Sequence, residues 1–367
     1  KRVFARRKYT LQDIKSTKGA VLMAEFDNVA GEFEVRKANI MAVGVGGGGN
    51  NTATNLFEKG VEGATVVAVN TDAKHLYMSK AHQKVLIGKN LTKGLGAGGY
   101  PDVGKQAALE SKNDLRRILE GVDLLFVTCG LGGGTGTGAA PVAARIAKEM
   151  GAIVIAAVTM PFNLEGSRLI KAEEGLAHLR EVCDTVIVIE NQKLLELGGK
   201  LPLKQAFQLA DNLIASMIKG ITETISVPSL VNLDFADVKT VMRAGGVATI
   251  GVGESDSPGR ALEAVTKALS HPLLEVDYTG AKGALIHVTG GPDMKLDEIQ
   301  TIGDAVQQNL DPNAQVIWGA RVLPEYEHKV HVITIVTGVK SPFIVGPTGK
   351  RTPVGVKKGE LGIDVVS

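Results

Sequence analysis

Residues 128–150, TCGLGGGTGTGAAPVAARIAKEM, carry six glycines, two threonines and no charge between positions 130 and 138, and then begin a helical pattern. Glycine-rich backbone is costly to order, so such a run indicates that the backbone must approach another group closely. Backbone N–H groups at the start of a helix attract negative charge. The stretch therefore predicts an anion-binding loop between a strand and a helix.

Apolar runs separated by helical patterns surround this loop. Runs of this kind indicate parallel strands that are covered on both faces. We predict strands within 38–49, 64–72, 122–130, 151–162 and 183–191. Together they predict a doubly wound α/β domain over residues 38–201.

A change of pattern after this domain predicts a second, smaller domain. Apolar residues recur at three- and four-residue spacing over 202–224, from Ala206 to Ile221, which predicts one long central helix with a buried face. Strand and helix patterns then alternate over 225–340, which predicts a mixed α+β domain. Residues 1–37 are expected to form a basic arm, and residues 341–367 an extended tail.

Composition narrows the classes of partner. The formal net charge of +2 over 367 residues gives no reason to expect nucleic acid binding, although residues 1–19 carry seven basic residues and one acidic residue. We interpret that arm as solvated, with contact to anionic lipid or nucleic acid as the alternative. No apolar stretch is long enough to span a bilayer. Two cysteines, Cys129 and Cys183, favour reduced thiols in a cytoplasmic protein.

Glycines cluster at 44–49, 94–99 and 130–138. The first cluster fits the G-x-G-x-x-G dinucleotide pattern, and Asp72 stands where a ribose-binding acid would follow, so an NAD-dependent oxidoreductase is one hypothesis. Several neutral N–H-rich loops at one sheet edge instead favour a longer phosphate chain, such as a nucleoside triphosphate. No Walker-type lysine motif is present, so Mg²⁺ is expected to neutralise the phosphates. These loops also supply no general base.

Three segments resemble one known family. GLGGGTGTGAAPVAA is similar to the tubulin signature, and NLDFADVKTVM (232–242) and AVNTDA (68–73) resemble segments of FtsZ, the prokaryotic tubulin relatives of the cell-division ring. Three further segments, GVGESDS (251–257), ALIHVTG (284–290) and LDPNAQVIWGA (310–320), resemble archaeal members most. The resemblance covers about residues 38–340. It implies a GTPase that polymerises head to tail, with GTP, GDP and Mg²⁺ as ligands.

In that family, acids after the long helix reach the γ-phosphate bound by the next subunit. The resemblance assigns this role to Asn232, Asp234 and Asp237. Asp234 and Asp237 are three residues apart at a predicted helix start, so one face can present both. The alternative for Asp234 is an N-terminal helix cap. The pattern leaves both roles open.

The resemblance also implies the nucleotide contacts. Phe207 would stack on guanine, Asp211 would accept from its N1–H and amino group, and Asn51 would lie on the base and ribose side. Asn50 replaces a frequent family glycine and is expected to tolerate a left-handed conformation. The remaining assigned residues are Gly46, Gly47, Gly48, Gly49, Asp72, Gly98, Gly99, Gly132, Gly133, Gly134, Thr135, Gly136, Thr137, Gly138, Glu165, Arg168 and Asn191.

Two of these segments depart from the family pattern. Glu165 is expected to contact the ribose, but Leu169 stands where the family usually has arginine, so Arg168 is the candidate replacement. Asn191 lies in ENQKL, where the family usually has N-D-K-L. Because of these changes, the family pattern does not fix which residues contact the sugar. They also suggest a paralogue whose role in the cell-division ring is modified.

Other residues are interpreted more plainly. Cys129 is expected to be a small buried residue, and His75, His82 and His178 are expected at the surface, with no metal-ligand spacing.

The terminal segment 359–367 could dock a membrane-anchoring partner at the division site, or could be a free end. The alternatives to an assembling GTPase are a weakly assembling, non-hydrolysing regulatory paralogue and, less favoured, the oxidoreductase.

Overall fold

The computed structural model describes residues 38–198, 202–227, 230–231, 234–245, 248–270, 277–308 and 310–339. The predicted arm, the extended tail and Asn232 lie outside the described residues. None of the helices in these ranges is both long and apolar enough to cross a membrane.

Six parallel strands form the first sheet, in the order β3-β2-β1-β4-β5-β6. They are β1 (Ile40–Val45), β2 (Ala64–Asn70), β3 (Gln83–Leu86), β4 (Leu124–Gly130), β5 (Ile153–Met160) and β6 (Thr185–Glu190). The chain order reverses between β1 and β4, which are direct neighbours. Parallel sheets open a crevice at the carboxyl ends of the strands at such a reversal.

Helices cover both faces of this sheet. They are α1 (Gly46–Lys59), α2 (Ala73–Met78), α3 (Lys89–Thr92), α4 (Pro101–Glu110), α5 (Lys112–Ile118), α6 (Thr135–Glu149), α7 (Ser167–Val182) and α8 (Asn191–Gly198). Alternate residues of β1 show the two faces: Met41 and Val43 pack with α6, whereas Ile40 and Ala42 pack with α1. This burial on both faces explains the unbroken apolar runs in the sequence.

The second sheet has the order β7-β10-β8-β9 and is mixed. Its elements are β7 (Ala248–Ser255), α11 (Arg260–Leu269), β8 (Ala281–Gly290), α12 (Leu296–Gln307), β9 (Leu310–Val322) and β10 (Val330–Thr337). β10 pairs antiparallel with β7 and β8, and β8 pairs parallel with β9. Although β9 and β10 follow one another in the chain, β8 lies between them.

The long helix α9 (Leu203–Ser226) is followed by α10 (Phe235–Gly245). Ile214, Met217, Ile218 and Ile221 of α9 are buried in a cluster that also contains residues of β1, β4 and β5 and residues of β7, β8 and β10. The predicted buried face of this helix is confirmed from Ala210 to Ile221, where it packs against both sheets, whereas Leu209 near the start of the helix is exposed. A further cluster lies between the second sheet and α11 and α12.

Candidate nucleotide site

A cavity of about 860 Å³ opens at the reversal point of the first sheet. Twelve of the predicted ligand residues line it: Gly47, Gly48, Asn51, Gly133, Gly134, Thr135, Gly136, Glu165, Arg168, Asn191, Phe207 and Asp211. Both α1 and α6 begin here, so their free N-terminal N–H groups belong to one edge of the sheet. That convergence creates a neutral surface that favours an anion.

The first glycine run is more helical than its sequence indicates. The sequence pattern places residues 38–49 in a strand segment that ends in a glycine cluster, but α1 already begins at Gly46, whose φ of 72° is in the left-handed region. A Cβ atom on Gly49 would overlap the carbonyl oxygen of Thr128 in β4. The run therefore allows α1 to pack directly onto the neighbouring strand and to bring Gly47 and Gly48 to the cavity.

Asn50 holds this packing together. It is fully buried inside α1, so the expected left-handed conformation is wrong. With its amide nitrogen toward the carbonyl oxygens, it donates to Val69, Gly44 and Gly46 and accepts from the Asn70 side chain at 3.0 Å. Asn50 thus joins the ends of β1 and β2 beneath the glycine run, whereas Asn51 is exposed and lines the cavity.

Hydroxyl groups brace the glycine run at 130–138. The Thr135 hydroxyl lies 2.6 Å from the Thr71 hydroxyl, and the Thr137 hydroxyl accepts from the Gly132 backbone N–H at 2.9 Å. Gly132, Thr137 and Gly138 do not line the cavity, and a Cβ atom on Gly138 would overlap the carbonyl oxygen of Pro101. These residues shape the loop from behind.

The glycine run at 94–99 supports the run at 130–138. Gly98 and Gly99 do not line the cavity, but a Cβ atom on Gly134 would lie 2.8 Å from the Ala97 Cβ and 2.9 Å from the Tyr100 nitrogen. The Lys171 ammonium of α7 donates to the Gly99 carbonyl at 2.8 Å. The run therefore packs behind the 130–138 loop and is tied to α7.

Asp72 lies at the end of β2 but not in the cavity lining. Its carboxylate accepts from the backbone N–H of His75 at 3.0 Å and caps α2. A helix cap at this position supplies no ribose contact of the kind that a dinucleotide site requires.

An aromatic ring and a carboxylate of α9 also line the cavity. Phe207 is 40% exposed, with its ring centroid 5.7 Å from that of Phe162. Asp211 accepts a hydrogen bond from the Thr52 hydroxyl at 2.6 Å. Burial raises the pKa of Asp211, and the hydrogen bond from Thr52 opposes that rise. The buried Oδ1 of Asn191 has no hydrogen-bond partner in the described part of the chain, so it remains free to accept from a ligand.

Glu165 and Arg168 form the remaining wall. The Glu165 carboxylate accepts from the Phe162 backbone N–H at 3.0 Å and from the Arg168 guanidinium at 2.7 Å. Arg168 lines the cavity, whereas Leu169 is half-buried outside it. The charged group thus comes from the position that the sequence offered as the replacement.

Two of the lining residues that sequence reasoning did not assign contact other polar groups of the site. His75 was expected at the surface, yet it is half-buried, lines the cavity and pairs through Nδ1 with the Asn70 amide at 3.2 Å. Thr52 carried no motif signal, because its partner Asp211 is 159 residues away. His82 and His178 are exposed, as expected. Cys129 is buried at the cavity wall, where burial raises the pKa of its thiol, which is consistent with a packing role.

Asp234 and Asp237 are absent from the cavity lining. Asp234 accepts the backbone N–H of Asp237 through its own carbonyl as α10 begins, and it is exposed. Asp237 is half-buried in the first turn of α10. Both lie beyond the far end of α9, away from Asp211.

Residues 39–199 match the model of the Tubulin/FtsZ family GTPase domain, and residues 246–340 match the FtsZ family C-terminal domain. Cell division protein FtsZ 2 of Methanocaldococcus jannaschii is 58% identical over 86% of this chain and 84% of its own length. The chain belongs to the FtsZ family. Within this family of cell-division proteins, FtsZ 1 of Archaeoglobus fulgidus is 54% identical over 90% of this chain and 89% of its own length.

Solved FtsZ structures have the same fold. An empty FtsZ dimer from M. jannaschii superposes with a TM-score of 0.80 at 50% identity, over 86% of this chain and 92% of that one. A CetZ2 protofilament from Haloferax volcanii superposes with a TM-score of 0.71 at 23% identity, over 82% of this chain and 93% of that one, and shows the fold alone. The family places a tubulin-like GTPase domain in this chain and implies guanine nucleotide binding.

Proposed function

We propose that this chain binds GTP in the cavity, assembles head to tail, and hydrolyses GTP when the acids of an adjacent copy complete the site. The observation that carries the proposal is that the helix-start amides at the cavity are separated from the acids that follow α9. Among the described residues, neither α1 nor α6, whose amides are proposed to bind phosphate, has an acid in its first turn, while Asp234 and Asp237 lie beyond the opposite end of α9.

The cavity suits a guanine nucleotide at both ends. Amide groups at the starts of α1 and α6 favour the phosphates. Phe207 offers an exposed ring face for stacking. The Asp211 carboxylate can accept from guanine N1–H and the exocyclic amine, whereas adenine has no such pair of donors on that edge. Asn191 and Glu165 are proposed to bind the sugar side.

The separation along α9 argues against hydrolysis within one copy. Asp211 precedes the end of α9 at Ser226 by 15 residues, which corresponds to roughly 22 Å of helix. Beyond it, the Val231 backbone pairs with Ala320 of β9, and α10 packs on β8 and β10. Asp234 and Asp237 are therefore proposed, with Asn232 outside the described residues, to act on GTP bound by the next copy.

The proposed Mg²⁺ would arrive with the nucleotide. Among the described residues, no group of three or more His, Cys, Asp or Glu side chains could hold a metal ion. Mg²⁺ is usually bound by one or two carboxylates together with substrate phosphates and water. The proposed Mg²⁺ would therefore be held by oxygens of GTP together with the carboxylates of Asp234 and Asp237 from the adjacent copy. When bound, the ion would neutralise phosphate charge that Arg168 alone cannot balance.

Asp237→Ala tests the shared site, with Asp297→Ala as the matched control. Both aspartates lie in the first turn of a helix, Asp237 in α10 and Asp297 in α12. We expect Asp237→Ala to bind GTP and to sediment with it, but to hydrolyse it at least 100-fold more slowly. Asp297→Ala should match the parent protein. Full hydrolysis by Asp237→Ala with intact sedimentation would refute the shared site.

Dilution gives a second test of the same proposal. If two copies are needed for one site, the GTPase rate per molecule rises steeply above a threshold protein concentration. Sedimentation with GTP and with GDP should show assembly at the same threshold. A rate per molecule that is constant across the threshold would mean that each copy contains a complete site.

The cellular role follows the same reasoning. The relatives are named as cell-division proteins, and one of the similar structures is an FtsZ dimer. We propose that filaments of this chain act at the division site, on the cytoplasmic side of the membrane. The segment 359–367, which is outside the described residues, is proposed to bind a membrane-anchoring protein.

A further inference from the structure

The carboxylate proposed to select guanine is held by a residue of a different helix. Thr52 lies in α1, is 2% exposed and lines the cavity, and its hydroxyl is 2.6 Å from Oδ1 of Asp211 in α9. We propose that Thr52 is a positioning residue for base specificity, which orients the Asp211 carboxylate and keeps it a pure acceptor. This inference rests on the proposed guanine site.

The distances decide where the single hydroxyl proton goes. The Thr52 oxygen is 3.4 Å from the Gly48 carbonyl but 2.6 Å from Asp211, so the hydroxyl donates to the carboxylate. No other described group donates to Asp211. The Thr52 bond uses one acceptor site of Oδ1, so each carboxylate oxygen still has an acceptor site for one of the two donors of the base.

The charge state of Asp211 matters as much as its orientation. A protonated carboxyl would place a donor against guanine, which itself presents donors on that edge. Burial favours the protonated form and raises the pKa of Asp211, while the Thr52 hydrogen bond stabilises the ionised form. The other charged or titratable cavity residues are Glu58 of α1, His75 of α2, Cys129 of β4, Glu165 and Arg168, and Glu165 and Arg168 pair with each other.

Other contacts between α1 and α9 already hold the helices in register. Asn55 donates to the Asn212 side chain at 2.9 Å, and Lys59 donates to the Ser216 hydroxyl at 2.9 Å. Ser216 does not line the cavity. The Thr52 contact differs from these because its acceptor faces the ligand, and Ser216→Ala provides a control for helix packing alone.

The test measures binding of GDP and XDP to the full chain by titration between pH 5 and 8. Xanthine has a carbonyl where guanine has its amine, so an ionised, oriented carboxylate favours GDP. We expect Thr52→Val to reduce the preference for GDP over XDP about tenfold. Its GDP affinity should also begin to fall at a higher pH as the solution is acidified. Thr52→Ser should restore both properties, and Ser216→Ala should leave both unchanged.

Each outcome bears on one claim. A Thr52→Val protein with the parent's base preference and pH profile would overturn the positioning role, even if its melting temperature fell. Failure of Thr52→Ser to restore the pH profile would also overturn it. Asp211→Asn should prefer XDP, and if it kept the parent's preference for GDP, the guanine site itself would be wrong, which is a separate failure of the proposed function.

Discussion

At the scale of single residues, His287 shows how burial controls charge. It is 3% exposed in β8, and its Nδ1 has no hydrogen-bond partner within the described part of the chain. Burial, together with His331 and Arg321 nearby, lowers its pKa from 6.5 to about 4. The folded protein therefore holds this imidazole neutral at pH values where an unfolded chain would already bind a proton.

The sign of the pH effect follows directly. Because the pKa of His287 is lower in the folded state, stability is lost as the pH falls from 6.5 towards 4. The full loss is on the order of 3 kcal/mol. We expect His287→Gln to flatten the fall in urea midpoint between pH 7 and 5, and the exposed control His178→Gln to keep it. Equal slopes for both variants would contradict this account.

At the scale of secondary-structure elements, the contact of α1 with β4 decides where the amides at the start of α1 lie, and these amides are proposed to bind phosphate. That contact depends on the absence of a side chain at Gly49, since a Cβ atom would overlap the Thr128 carbonyl. Gly303 in α12 is a helical glycine with open space around its Cβ position. Substitutions at Gly49 and Gly303 therefore distinguish the effect of close packing from the effect of helix propensity.

Alanine substitutions at these two glycines should have opposite effects. Gly49→Ala is expected to displace α1, to lower the free energy of unfolding by about 1–3 kcal/mol and to weaken GDP binding. Gly303→Ala should raise it by up to about 1 kcal/mol, because alanine favours helix. Urea unfolding and GDP titration measure both effects. A Gly49→Ala protein as stable as the parent would show that the close approach is not required.

At the scale of the whole molecule, α9 joins both sheets through one apolar cluster. Residues of β1 and β4 and residues of β7, β8 and β10 share that cluster with Ile214 and Ile218. The helix also carries Phe207 and Asp211 at its cavity end and precedes the acids of α10. The core that stabilises the fold therefore also sets the distance between the two halves of the proposed site.

A shared core predicts shared unfolding. Trp318 in β9 is the single tryptophan and reports on the second sheet, while release of a fluorescent GDP analogue reports on the first. We expect both signals to change at the same urea concentration. Ile218→Ala should lower both midpoints together by about 2–5 kcal/mol. Two separate transitions, with only one shifted by Ile218→Ala, would show that the sheets are independent.

Much of the fold could be predicted because it is locally encoded. Most of the parallel strands appear in the sequence as unbroken apolar runs, the long helix as a three- and four-residue period, and the loops of the proposed phosphate site as glycine clusters. The resemblance to FtsZ added Phe207 and Asp211, which it assigns to the base. It also added Asp234 and Asp237, which it assigns to the γ-phosphate bound by the next subunit. Leu169 and Arg168 show the limit of motif matching, since only the structure places Arg168 at the cavity.

The sequence by itself determined the fold class, the order of the strands of the first sheet except β3, and which segments could contact a nucleotide. Only the tertiary structure decided the position of β10 between β7 and β8, the start of α1 within its glycine run, and the bond between Thr52 and Asp211. It also separated the cavity from Asp234 and Asp237. The physical reason is that periodicity and turn chemistry act between neighbours in the chain, whereas packing and hydrogen bonding join residues that chain distance does not relate.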